Sequence, residues 1–192
     1  MSKEPIRFKQ TEIGELPEEW EVVKLGEVAE VIMGQSPPGS SYNIEGFGIP
    51  FLQGKAEFGE KFPKHEKYTT KPQKIAKKGS ILISVRAPVG DVNIANADYC
   101  IGRGLASVSM KNGNNEYLFY CLTYLKPTIE KIGCGSTFKA IRKNDLINLL
   151  IPLPPLEEQK RIARVLRLVD RVAEETRRII SIYERAKRFA LK

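Results

Sequence analysis

Three prolines, Pro152, Pro154 and Pro155, stand directly before a run from Leu156 to Lys192 that holds no proline or glycine. Proline fixes the backbone and cannot sit inside a helix, so this order of residues predicts a rigid hinge followed by one long helix. Counted as heptads, Ile162, Val169, Thr176 and Tyr183 fall at the first position and Val165, Val172 and Ile179 at the fourth. A seam of this period asks for a helical partner. Leu166, Ala173 and Ile180 widen the apolar face beyond what a two-stranded coil needs, which predicts a second surface packed beside the seam. A helix of this span would reach ~54 Å, longer than a domain of this size is wide. The expected layout is a head over residues 1–151 and a hinge with spacer and dimerisation helix over 152–192.

Charge separates these parts. From Pro155 onward the chain has 11 Lys and Arg against 6 Asp and Glu, whereas the residues before it have 20 against 17. Within the head, residues 1–30 hold 8 acids and 4 bases, while Lys55 to Lys78 holds 8 lysines and 3 acids. One positive surface on a near-neutral head suits a polyanion partner. Cys100, Cys121 and Cys134 show no CxxC spacing and His65 is the single histidine, so no zinc site and no other metal or cofactor is expected. The N-terminal residues lack the apolar core of a signal peptide and no segment reaches the ~20 apolar residues of a membrane span. The reading is a reduced, cytoplasmic protein without a membrane partner.

Along the head, Leu25, Val28, Ala29, Ile32 and Met33 have helical spacing and predict a short helix before the GQSPPGS turn. Strands are expected at 49–54, 80–86, 92–95 and 105–111, where β-rich residues are bounded by Gly or Pro. Asn114 or Asn115 is set to cap a helix through Leu118, Leu122, Leu125 and Ile129 that stops at Gly133 and breaks at Pro127. The residues after it read as loop, short strand, turn and final strand. The fold class is α+β, a mixed globular head followed by a long C-terminal coiled-coil helix.

The segments LPEEWEVVKLGEV (16–28), GQSPP (34–38), GIPF (48–51), GSILISVRAPVG (79–90), the Gly135–Ser136 pair and IPLPPLEEQKRIARVL (151–166) together resemble the DNA specificity subunits of type I restriction-modification systems. The resemblance implies a target recognition domain followed by a spacer helix, acting without catalysis of its own. It also implies double-stranded DNA, a methyltransferase (modification) subunit and a restriction subunit as partners. The common member of that family carries two such units in one chain and this chain carries one. It is therefore either a half subunit that pairs as a homodimer to read a bipartite site, or a piece of a longer chain.

On such a reader, cations bind phosphate and rigidly held side chains read base edges. Arg86 and Arg103 sit beside Pro or Gly at strand ends, where each can present a guanidinium to guanine. Gln35 and Ser36 lie in a turn able to face DNA. Ser136, Thr137, Lys139, Arg142 and Lys143 supply donors in a loop of small residues, and Lys55, Lys61, Lys64, His65, Lys67 and Tyr68 form a basic stretch with interleaved aromatics. The dimer or partner helix is expected to use Ile162, Val165, Leu166, Val169, Val172, Thr176, Ile179, Ile180 and Tyr183, with the surplus face at Leu166, Ala173 and Ile180 meeting the methyltransferase.

No phosphate loop or methyltransferase motif is present. Asp145 with Glu158, Gln159 and Lys160 imitates a magnesium-nuclease spacing, but three prolines divide the set. A nuclease and a protein-only coiled-coil adaptor are the two rival readings.

Overall fold

The computed structural model describes residues 7–133 and 140–190. The chain opens with a hairpin, β1 (Phe8–Thr11) and β2 (Gly14–Pro17), followed by β3 (Glu21–Lys24), the single-turn α1 (Leu25–Val28) and β4 (Ala29–Met33). Then come β5 (Tyr42–Asn43), β6 (Ile49–Leu52), β7 (Lys67–Thr69), β8 (Ile75–Ala76), β9 (Ile81–Ser84), β10 (Val92–Ile94), β11 (Tyr99–Ile101) and β12 (Leu105–Met110). The chain closes with α2 (Asn115–Tyr124), α3 (Lys126–Gly133), α4 (Lys143–Ile147), β13 (Leu150–Leu153) and the 35-residue α5 (Leu156–Ala190).

The head has three layers. An antiparallel sheet in the order β10-β9-β12-β4 lies between α2 and a five-stranded sheet, β5-β7-β6-β11-β8, whose β6–β11 pair is parallel. Both faces of the middle sheet are covered, so β9 reads as an unbroken apolar run rather than an alternation. Ile81 and Ile83 join the cluster under α2 with Leu118 and Leu122, while Leu82 joins Leu52, Tyr99, Ile101 and Leu105 between the sheets. Each such buried side chain contributes about 1.5–3 kcal/mol, which makes this sandwich the rigid base of everything at its edges.

The helix expected across residues 25–33 is only α1. Ala29–Met33 instead pairs along its whole length with β12. Apolar residues at 28, 29, 32 and 33 satisfy helical spacing, but five ladder pairs and burial of Ala29 and Val31 against the core outweigh that local preference. Asn114 caps α2 by accepting from Tyr117 N at 2.8 Å, and the break before Pro127 separates α2 from α3 as expected. The turn expected before the final strand is the short helix α4.

The long helix starts where the prolines end, and its base is pinned. β13 pairs with β3, and Pro155 O accepts from Glu158 N and Gln159 N at 2.8 and 3.0 Å. Buried Gln159 donates to Pro154 O at 2.8 Å and accepts from Asn114 N at 3.0 Å, tying the hinge, the helix and the cap of α2 together. No helix among the described residues is long and apolar enough to cross a membrane.

Candidate nucleic-acid interface

Four loops meet at one edge of the sandwich because backbone hydrogen bonds join the strand ends that they leave. After β4, Gly34 N donates to Leu105 O and Gln35 N to Ile101 O, both at 2.9 Å. Beyond β6, the carbonyls of Leu52 and Gln53 accept from Gly102 N and Gly104 N at 2.8 and 3.2 Å. Val85, one residue past β9, donates to Gly104 O at 2.9 Å and accepts from Ile141 N at 2.8 Å. Arg86 forms a bridge with Ala140. The turn at 34–36, the loop after Leu52, the Arg86 turn and the Arg103 turn are thereby neighbours, with residues 140–143 alongside.

Of the expected DNA-binding residues, Gln35, Ser36, Arg86, Arg103, Arg142 and Lys143 belong to this edge, and all but half-buried Ser36 are exposed. Arg86, Arg103, Arg142 and Lys143 have no ion pair among the described residues. Arg142 also precedes α4, where its backbone N–H donates to Asp145 Oδ2 at 2.8 Å. Ser136, Thr137 and Lys139 lie outside the described residues. Lys55 borders the edge, and a cleft of about 420 Å³ separates its turn from Ala87 and Pro88. Its charge is partly neutralised, because Asp91 stands 2.8 Å from Lys55 Nζ and 2.6 Å from Lys126 Nζ. Burial alone would raise the Asp91 pKa, but the two lysines outweigh it and hold the carboxyl below its ordinary value.

The remaining basic stretch is elsewhere. Lys64, Lys67 and Tyr68 lie along β7 and the turn before it, and Tyr68 OH is 3.2 Å from His65 Nε2. The other ring nitrogen of His65 is 3.4 Å from Tyr99 OH, so this histidine bridges two sheet tyrosines. Lys61 faces the long helix. Its Nζ donates to Tyr120 OH at 3.0 Å and to Asp170 Oδ2 at 3.1 Å, and lies 3.6 Å from Glu116 Oε1. Burial disfavours the Lys61 charge, yet these partners prevail and its pKa is raised. Tyr120 OH donates to the same Asp170 oxygen at 2.6 Å, Arg167 pairs with Glu116 at 3.2 Å, and Arg177 pairs with Glu60.

This junction corrects the expectation for the wide face of α5. Gln159, Ala163, Leu166, Asp170 and Ala173 recur at three- and four-residue steps and are buried or half-buried, on the side of the helix that meets the chain's own α2. Ile162 likewise packs on the head core. The second surface beside the seam is therefore the head itself along Leu166 and Ala173. Val165, Val169, Val172, Ile179, Ile180 and Tyr183 remain between 52% and 72% exposed, with Thr176 also exposed among them.

The residues with nuclease-like spacing each hold the fold. Asp145 caps α4, Glu158 accepts from Trp20 Nε1 at 3.1 Å, Gln159 is buried at the hinge, and Lys160 pairs with Glu157. Cys121 is buried, which pushes its thiol up to about 12 and removes it as a nucleophile. Gln53 and Asp91 carry the edge without having stood out in the sequence. An isolated Gln at a strand end and one Asp after a glycine have no distinguishing pattern, and only their tertiary neighbours mark them.

A mixed head thus carries, on one loop edge, exposed amides and cations with no ion pair among the described residues, and it leads into a long helix with an exposed apolar stripe. The family model of the type I restriction modification DNA specificity domain matches residues 17–183, and the chain belongs to that family. It is 56% identical over 185 residues to the putative type I restriction enzyme MjaX specificity subunit of Methanocaldococcus jannaschii, covering 94% of this chain and 44% of that protein. The MjaVIII specificity subunit of the same organism is 32% identical over 205 residues, with 94% and 46% covered. The crystal structure of the HsdS subunit from Thermoanaerobacter tengcongensis matches with a TM-score of 0.77 at 47% identity, over 89% of this chain and 42% of that one. A chain solved to explain complex assembly and conformational transition of the type I R-M system matches with a TM-score of 0.78 at 49% identity, over 85% and 41%. The chain thus spans less than half the length of the curated relatives it matches.

Proposed function

We propose that the chain is the DNA-recognition subunit of a type I restriction-modification complex, and that two copies pair through α5 to read two identical half-sites in inverted orientation. In this reading residues 1–151 recognise double-stranded DNA and residues 152–192 assemble the complex. The assembled pair holds a methyltransferase subunit and a restriction subunit at the site, in the cytoplasm, and the chemistry takes place on those partners.

The observation that carries the pairing is the free apolar stripe of α5. Val165, Val169, Val172, Ile179 and Tyr183 stay exposed although the neighbouring face is covered by the head, and a stripe of this length in water favours a second helix. The loop edge supports DNA over a protein-only adaptor, since its exposed arginines share the surface with amide and hydroxyl groups.

A solution mass of two chains at micromolar concentration is expected, and a mass of one chain would overturn the pairing. Co-expression with a type I methyltransferase subunit, followed by genome-wide mapping of methylated adenines, is expected to give a palindromic bipartite motif. An asymmetric motif would mean that the second half-site is read by a different head. DNA binding that fails to weaken as salt rises would overturn the reading at the loop edge.

A further inference from the structure

Gln53 sits one residue beyond β6, exposed at the middle of the loop edge. The turn that carries Arg103 approaches it closely at two glycines. A Cβ on Gly102 would lie 3.1 Å from Gln53 Cα, and one on Gly104 would lie 2.7 Å from Gln53 O. A Cβ on Gly34 would come within 2.1 Å of Gly102 O, so the third loop is drawn into the same contact. The Gln53 backbone is thereby clamped by the turn that carries Arg103.

The side chain is steered as well. Ser36 Oγ accepts from Gln53 Nε2 at 3.3 Å and from Arg103 N at 3.3 Å, and it lies 3.5 Å from Gln53 Oε1. These are long contacts that park one N–H and one lone pair of the amide against the hydroxyl and leave its other N–H and lone pair open. The amide edge turned to Ser36 carries a donor and an acceptor side by side, the pattern that matches the N6 donor and N7 acceptor of adenine in the major groove, so a base would exchange with these weak contacts. It also stands on the ends of buried strands, the rigid support that a base contact requires.

We infer that Gln53 is a specificity-determining residue whose amide reads one adenine in each half-site, with Ser36 as the residue that positions it. The inference rests on the DNA-recognition reading above and adds the base and the atom that meets it.

The test compares methylation motifs directed by the wild-type chain, Gln53→Ala and Gln53→Glu, each co-expressed with the methyltransferase subunit. Gln53→Ala is expected to keep the bipartite motif but lose preference for adenine at one position per half-site, by about 10- to 100-fold. Gln53→Glu removes the donors and keeps the size, so preference there should move toward cytosine, whose N4 group donates. Ser36→Ala should blur the same position to a lesser degree. A wild-type motif left unchanged in both Gln53 variants would overturn this inference alone. So would uniform loss of methylation at every sequence with the variant still folded and bound to its partner. A wild-type chain that directs no methylation would overturn the parent reading and this one with it.

Discussion

The helix junction and the loop edge lie on one head and use positive charge in opposite ways. At the junction, Lys61 is surrounded by Tyr120, Asp170 and Glu116 and packs over the Phe119 and Tyr120 rings, so its charge is absorbed in fixing the angle of α5. At the edge, Arg86, Arg103 and Lys143 have no carboxylate partner among the described residues, and rigidity comes from glycines and backbone hydrogen bonds instead. The same residue types thus hold the structure together in one place and remain available to a ligand in the other. Partners, rather than the number of cations, separate the two roles.

The contrast can be broken experimentally. Replacing Arg86, Arg103 and Lys143 together by alanine removes three cations that are candidate DNA contacts. The slope of log affinity against log salt should become shallower by about 2.7, and DNA affinity at 0.1 M salt should fall by about 100-fold. Folding stability should stay within about 0.5 kcal/mol, because these side chains are exposed and make no ion pair among the described residues. Fluorescence anisotropy over a salt series, on the chain assembled with its methyltransferase subunit, measures the first, and urea unfolding the second. A large stability loss would erase the distinction between the two regions.

Lys61→Ala should do the reverse. It leaves Asp170 without its cation and Glu116 with Arg167 alone, at a cost of about 1–3 kcal/mol in urea unfolding, with the salt slope of DNA binding unchanged. If the slope fell with stability intact, Lys61 would belong with the edge.

The smallest effect concerns Asp91, which borders the edge through Lys55 and ties it to the start of α3 through Lys126. Its folded pKa is depressed, so the stability it contributes is present above the unfolded carboxyl value and is lost as pH falls through the folded one. Wild-type and Asp91→Asn chains should therefore differ by under about 1 kcal/mol near neutrality, and the gap should close below about pH 4. An unfolding series in acid that shows a constant gap would deny the ion pair any part in stability.

Much of this architecture can be read from local pattern. The proline hinge, the long helix, the Asn114 cap and the strands at β6, β9, β10 and β12 follow from residues that act on their near neighbours. What escapes local reading is long-range by nature. Ala29–Met33 becomes a strand because β12 lies beside it, and α4 forms where a turn is sufficient for the sequence. The edge is half legible. Arg86 and Arg103 stand out through flanking Pro and Gly, but nothing about Gln53 does until Gly102 and Gly104 are placed against it. Lys61 resembles any loop lysine until α2 and α5 converge on it. The breadth of the apolar face on α5 signals a second packing surface, without saying that the surface belongs to the same chain.

The clamp of Gly34, Gly102 and Gly104 also bears on how such a protein changes over generations. A side chain at Gly34 or Gly104 would collide with backbone, and one at Gly102 would be tightly pressed against Gln53. The exposed tips of Gln35, Gln53 and Arg103 support no core packing, and replacement of such a tip leaves stability within about 0.5 kcal/mol. The loop edge therefore resembles movable type, in which the frame is cast once and the letters are exchanged. On the proposed reading of this edge, new sequence preferences arise by single codon changes that the fold does not register.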